Sequence, residues 1–195
     1  MDEKPDLQPP LGGVFFPRVA ERLFEARTIL IHGEITSRLA QEVTAQLLAL
    51  AADSDEGVTI FLHSNGGHVE AGDSIHDMVQ FVRPVVRMVG TGWVASAGTH
   101  VYLSAQKEHR VCLPNTRFLI HQPLGGVGGR ATDIGIEAEQ ILKMRERLNR
   151  TIAEATGQPL ERVAKDTERN FWMSAEEAIE YGIVARIVGS SDELR

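Results

Sequence analysis

The chain is 195 residues long, enough for one well-buried core and too short for two. With 43% apolar and 24% charged residues it has the composition of an ordinary globular protein, which excludes fibrous and intrinsically disordered classes. A formal net charge of -7, with Lys and Arg scattered, excludes the basic footprint of a nucleic-acid binder, and a single cysteine, Cys112, excludes an internal disulfide or a Cys-based zinc site and fits a reducing, cytoplasmic setting.

Residues 1–14 carry Pro5, Pro9, Pro10, Gly12 and Gly13 with no apolar period, which predicts a flexible N-terminal arm. The arm has neither the basic nor the apolar region of a secretory signal. Residues 15–195 are then expected to form a single domain. "TILI" at 28–31, "VTIFL" at 58–62 and "VVRMV" at 85–89 predict buried strands. Between them, Ala40, Val43, Leu47 and Leu50 share one helical face, and Ile75, Met78, Val79 and Val82 share another. This alternation predicts an α/β fold with a parallel sheet.

The longest predicted helix spans 132–156, with Thr132 or Asp133 as its cap, Gly157 as its stop and Pro159 opening a shorter helix. At 1.5 Å per residue it reaches about 37 Å, more than a domain of this size needs, so it is expected to pack against another subunit. A last helix follows Ser174 in "SAEEA", and "IVARIV" at 183–188 predicts a final strand. No apolar run approaches the roughly 20 residues of a membrane helix, so no membrane partner is expected.

Ligands of open parallel sheets gather beyond the carboxyl ends of the strands. Two loops there carry chemistry. In "HSNGGHVEAG" at 63–72, Gly66 and Gly67 allow a sharp turn and bring bare amides to a ligand. In "TGWVASAGTH" at 91–100, Ser96 stands where a strand ends and a helix begins. Its hydroxyl can cap that helix or attack a substrate, and helix amides would favour negative charge there in either case. The stretch lacks the Gly-x-Ser-x-Gly of α/β-hydrolases, because Val94 holds the first glycine's place. His121, at the tip of "TRFLIHQPLGG", is a candidate base, and the exposed "PLGG" can pair with an extended peptide. "GGVGGR" at 125–130 lacks the Gly-Lys-Ser/Thr of a phosphate loop, and no His-Glu-x-x-His spacing occurs, so neither cofactor nor metal is expected.

With "GWVASAG", "IHQPLGG", "ATDI", "TGQPLE" and "DTERNFWMSAEEAIEYGIV" in that order, residues 21–188 resemble the ClpP family, the proteolytic subunits of Clp proteases. The resemblance implies a ClpP/crotonase-like fold of repeated β-β-α units with a protruding handle helix, here about 132–156. It implies that Ser96 is the nucleophile and His121 the general base, with the amides of Gly67 and Ala97 holding the oxyanion. "HVE" at 68–70 and "PLGG" at 123–126 match substrate-clamping strands, which makes His68, Val69, Pro123, Leu124 and Gly125 substrate-binding candidates. Glu168 and Arg169 match charges that link two stacked seven-membered rings. Thr59, Phe61, Phe81, Val89, Val111 and Val188 match the pocket that receives a loop of an AAA+ unfoldase.

The chain departs from the family in three places. The third triad position is Asn170, in "DTERN" where the family has "DTERD"; Asp166 lies one turn earlier and is read as a surface or ring-contact charge. The docking pocket is less aromatic than usual, and the proline-rich arm replaces the axial hairpin. These departures suit a subunit of reduced or conditional activity that joins a second ClpP-type subunit. Two other readings stay open: a regulatory ring subunit with little catalysis, and an acyl-CoA-binding crotonase relative.

Overall fold

The computed structural model describes residues 17–124 and 128–194; the arm at 1–14 and Gly125 of the clamp lie outside the described residues. The described residues open with α1 (Pro17–Glu25), a helix for which the sequence pattern carries no separate expectation. Then β1 (Thr28–Ile35), α2 (Ser37–Asp53), β2 (Val58–Gly67), α3 (Val69–Phe81) and β3 (Val86–Ala95) follow as single strands alternating with helices. The three expected strands are present and run further toward their carboxyl ends. Those extensions carry the loops where chemistry was expected.

After β3 come α4 (Ala97–Tyr102), β4 (Arg110–Cys112), β5 (Arg117–Ile120), α5 (Ala131–Thr156), α6 (Leu160–Asp166), β6 (Phe171–Met173), α7 (Ala175–Tyr181) and β7 (Arg186–Ile187). The sheet runs β1-β2-β3-β4-β7, all parallel, while β5 branches from β3 and pairs antiparallel with β6. The branch has a local cause. Residues 88–90 of β3 pair with β4 and residues 93–95 with β5, and Gly92 between them takes a positive φ of 55° that L side chains rarely adopt. The core is one buried cluster in which Ile29, Ile31, Ile60, Leu62, Met88 and Phe118 of the strands join Val43 and Leu47 of α2 and Ile75 of α3. Alternating burial along β2 shows its two faces: Ile60 and Leu62 point inward, while Thr59, Phe61 and His63 stay half covered.

Several element ends follow the local chemistry, and two that the sequence predicts do not. Thr36 caps α2 by accepting from the Leu39 amide, and Ser174 forms a full capping box with Glu177 at α7. Gly157 ends α5 in the left-handed conformation at φ 78°, as expected. The cap expected at Thr132 or Asp133 is not there: α5 begins at Ala131 after Arg130, which caps nothing with its side chain, and Asp133 serves the first turn by charge alone. The strand expected at 183–188 is only two residues long, because Ile183 and Val184 still belong to the turn that closes α7, with amides bonded to Ala178 O.

Candidate active site

Three strand ends meet at one edge of the sheet. Register puts Ala95 opposite Leu119 in the parallel pair β3–β5, and Ile120 opposite Phe171 in the antiparallel pair β5–β6. The residues just beyond are Ser96, His121 and Asn170. Because β6 runs against β5, the residue before β6 lies beside the residue after β5. His121 Nε2 is 2.7 Å from Ser96 Oγ, and His121 Nδ1 is 3.0 Å from Asn170 Oδ1. The ring therefore donates Nδ1–H to the amide oxygen, which leaves Nε2 to accept from the serine hydroxyl.

Ser96 occupies the N-cap position of α4, yet its hydroxyl makes no cap bond and turns to His121 instead. The cap reading of the sequence fails here, since the hydroxyl faces His121 and not the helix amides. Its backbone holds φ 57° and ψ −123°, one of only two positive-φ non-glycine residues described. Such a conformation costs on the order of 1–3 kcal/mol and persists only where neighbours enforce it. The neighbours are identifiable: Ser96 N donates to Leu119 O at 2.9 Å, and Thr99 Oγ1 donates to both Val94 O and Leu119 O at 2.8 Å. The strand-to-helix turn thus forms without the first glycine of the hydrolase motif.

Two glycines make the close approach possible. A Cβ on Gly66 would sit 2.7 Å from Ser96 Cβ, and one on Gly98 would sit 2.9 Å from Ser64 Cβ, both closer than carbon atoms pack. Gly67, at φ 148°, faces Ile35 O so closely that no side chain fits there. Gly67 ends β2 and Ala97 begins α4, and first-turn amides of a helix have no carbonyl of their own helix to bond.

The substrate-binding candidates need one correction. "HVE" is not a strand: β2 stops at Gly67, His68 is the N-cap of α3, and Val69 and Glu70 form its first turn, because His68 N already bonds Ile35 O and the chain turns away from the sheet there. Even so, Gly67, His68, Val69, Pro123 and Leu124 share one hollow with Met144 of α5, about 390 Å³ in volume. Leu124 is 84% exposed and so is free to contact another chain.

The remaining predicted residues fall elsewhere. Phe61, Val89, Val111 and Val188 form a satellite apolar cluster with Leu194. Thr59 is half buried and Phe81 is 74% exposed at the end of α3; neither belongs to that cluster. Glu168 and Arg169 are exposed, with Glu168 4.0 Å from Arg145. Asp166 stands apart from these three side chains, since its carboxylate accepts from the Tyr181 hydroxyl at 3.0 Å and lies 3.6 Å from Arg162.

Sequence reading missed a polar cluster around His100, which lines one pocket with Ser96. Asp73 of α3 accepts two hydrogen bonds from Arg147 of α5, at 2.7 and 2.6 Å, and lies 2.9 Å from Nε2 of His100 of α4. His76, one turn along from Asp73, stacks on His100 with ring centroids 4.4 Å apart. Burial works against ionisation of Asp73, but the adjacent His100 ring and the Arg147 guanidinium bonded to both carboxylate oxygens outweigh it and bring its carboxyl down to about 2. Burial, helped by the nearby His100, lowers the pKa of His76. The i, i+3 spacing of Asp73 and His76 was the available signal.

A family model described as Clp protease matches residues 14–191. Similar proteins include the ATP-dependent Clp protease proteolytic subunit 3 of Rhizobium etli, 61% identical over 172 residues, 88% of this chain and 89% of that protein. The ATP-dependent Clp protease proteolytic subunit 2 of Gluconobacter oxydans is 59% identical over 176 residues, 89% of this chain and 79% of that protein. Among solved structures, ClpP1 from Listeria monocytogenes superposes with a TM-score of 0.83 at 54% identity, covering 91% of this chain and 99% of that one. A mutant of that ClpP1 with one asparagine changed to aspartate superposes with a TM-score of 0.86 at the same identity and coverage.

Proposed function

The chain belongs to the Clp protease family, and on that premise we propose that Ser96, His121 and Asn170 are the catalytic triad of a Clp-type serine endopeptidase subunit. The observation that carries this reading is the continuous line from Ser96 Oγ through both nitrogens of His121 to Asn170 Oδ1. Ser96 Oγ attacks a peptide carbonyl carbon while His121 Nε2 takes its proton. The carbonyl oxygen becomes an oxyanion facing the amides of Gly67 and Ala97. Collapse expels the amine, which takes the proton from His121, and leaves an ester on Ser96. Water, deprotonated by the same nitrogen, then hydrolyses the ester and restores the serine.

An extended substrate would lie along the hollow between Val69 and Pro123–Leu124, with Gly125 continuing that edge. The relatives' names make them subunits of ATP-dependent proteases, and this chain is proposed to assemble likewise, as two stacked seven-membered rings with an AAA+ unfoldase docking on the Phe61–Val89–Val111–Val188 cluster. Three features support association: α5 is exposed over most of its length, Ile136 and Leu142 are 54% and 64% exposed, and Glu168 and Arg169 are open to a partner. The neutral Asn170 favours a second reading, a weakly active subunit that works beside a more active ClpP-type subunit.

A fluorophosphonate probe followed by intact-mass measurement tests the assignment. One adduct per chain is expected, located at Ser96 and lost in Ser96→Ala and His121→Ala. An adduct at any other residue, or one that survives Ser96→Ala, would remove it.

A further inference from the structure

The face of the sheet turned away from the main core already carries an occupant. Along β3 the side chains alternate: Val86 and Met88 enter the main core, whereas Arg87 and Val89 face the other way. Register carries this outer row sideways, from Phe61 of β2 to Val89, then to Val111 of β4 and Arg186 of β7. Val89, Val111 and Val188 are each at most 1% exposed, and the partly buried apolar side chains packed on them are Phe61 and Leu194. Phe61 belongs to the sheet. Leu194 does not.

After β7 the chain turns back over the outer row and forms a single 3-10 turn, Ser191–Leu194. Glu193 closes that turn, its carboxylate accepting from the amides of Gly189 and Ser190, both at 3.0 Å. Two arginines of the sheet hold its main chain: Arg186 donates to Glu193 O at 2.7 Å, and Arg87 donates to Leu194 O. Ser191, Asp192 and Glu193 are themselves exposed, so Leu194 is the segment's apolar anchor. A turn held by one side chain and by hydrogen bonds open to water belongs to the part of a fold that opens first. We infer that segment 189–194 is a tethered competitor for the unfoldase docking surface: Leu194 occupies the apolar cluster, and a partner's apolar loop binds only when the turn lifts away. This rests on the reading of the cluster as the docking surface. A surface open for about 10% of the time loses about tenfold in apparent affinity. The same contacts define what fits in the segment's place, namely an apolar side chain for the valines and backbone carbonyls for Arg87 and Arg186.

The test uses a fluorescein-labelled cyclic peptide that displays adjacent leucine and phenylalanine side chains, titrated with the full chain in its assembled state and read by fluorescence anisotropy. Leu194→Ser is expected to bind this probe about tenfold more tightly than the wild type, because the competitor has lost its anchor. Glu193→Ala keeps Leu194 and opens the turn, so it should move the affinity the same way by less, and it decides the matter if Leu194→Ser does not fold. Adding Phe61→Ser to either protein should abolish binding. A purely structural role for Leu194 would weaken binding or leave it unchanged. Equal or weaker binding in Leu194→Ser, or in Glu193→Ala where the first does not fold, with binding still lost on Phe61→Ser, would overturn the inference alone. A probe that binds none of these proteins, or binds them regardless of Phe61→Ser, would overturn the docking reading and this inference together.

Discussion

In the proposed triad, Asn170 sets how much work His121 can do. Its amide oxygen accepts Nδ1–H at 3.0 Å, which selects the tautomer with Nε2 free for Ser96, so the ground state is oriented. When His121 takes the proton, however, the imidazolium meets a dipole in place of a full negative charge. In another serine protease the loss of that carboxylate cost about 10⁴ in turnover. Asn170→Asp is therefore expected to raise kcat for a fluorogenic peptide by at least about tenfold with little change in KM, since the gain is made only in the transition state. Initial rates on assemblies of equal mass check it; an unchanged or lower kcat would count against Asn170 as the third member.

At the scale of elements, the site is a meeting of ends: β3 delivers Ser96, β5 delivers His121, β6 delivers Asn170, and α3 begins just after Gly67. Asp73 ties the helices behind these ends together. Its carboxyl sits at about 2 when folded against about 3.9 in an unfolded chain, so its contribution is fully present above about pH 4 and is lost as pH falls toward 2. Asp73→Asn is expected to lower the unfolding midpoint at pH 7 and to lose that disadvantage against the wild type near pH 2. Urea titrations of both proteins at the two pH values would show it; a gap of equal size at both would mean that Asp73 acts through packing alone.

For the molecule as a whole, periodicity made the alternating α/β order, the two core-facing helices and the length of α5 legible, because burial on one face writes itself into spacing. Ser96 and His121 were legible as loop residues, but only the order and spacing of whole motifs paired them with Asn170, 49 residues from His121. What remained hidden depends on register. Neither the branch of β5 from β3 nor the contact between Asp73, His100 and Arg147 leaves a periodic trace, since each joins residues far apart in sequence. The short β7 and the uncapped start of α5 failed for the opposite reason: strong local signals at 183–188 and at Thr132 were overridden by the turn after α7 and by an earlier helix start. The exposed apolar residues of α5 yield an expectation for the assembled state. The pair Ile136→Glu and Leu142→Glu should convert the proposed double ring to single rings, halving the mass seen by native mass spectrometry, and an intact double ring would detach α5 from ring stacking.

The buried residues of α5 are Asn149, Ile152 and Thr156, all near its carboxyl end, while residues 131–140 are exposed throughout. Mechanically this is a cantilever, clamped at the root where Arg147 holds Asp73 and uncovered by its own chain at the tip. With about 24 Å of rod beyond the clamp, a tilt of about 10° at the root would carry the tip through about 4 Å.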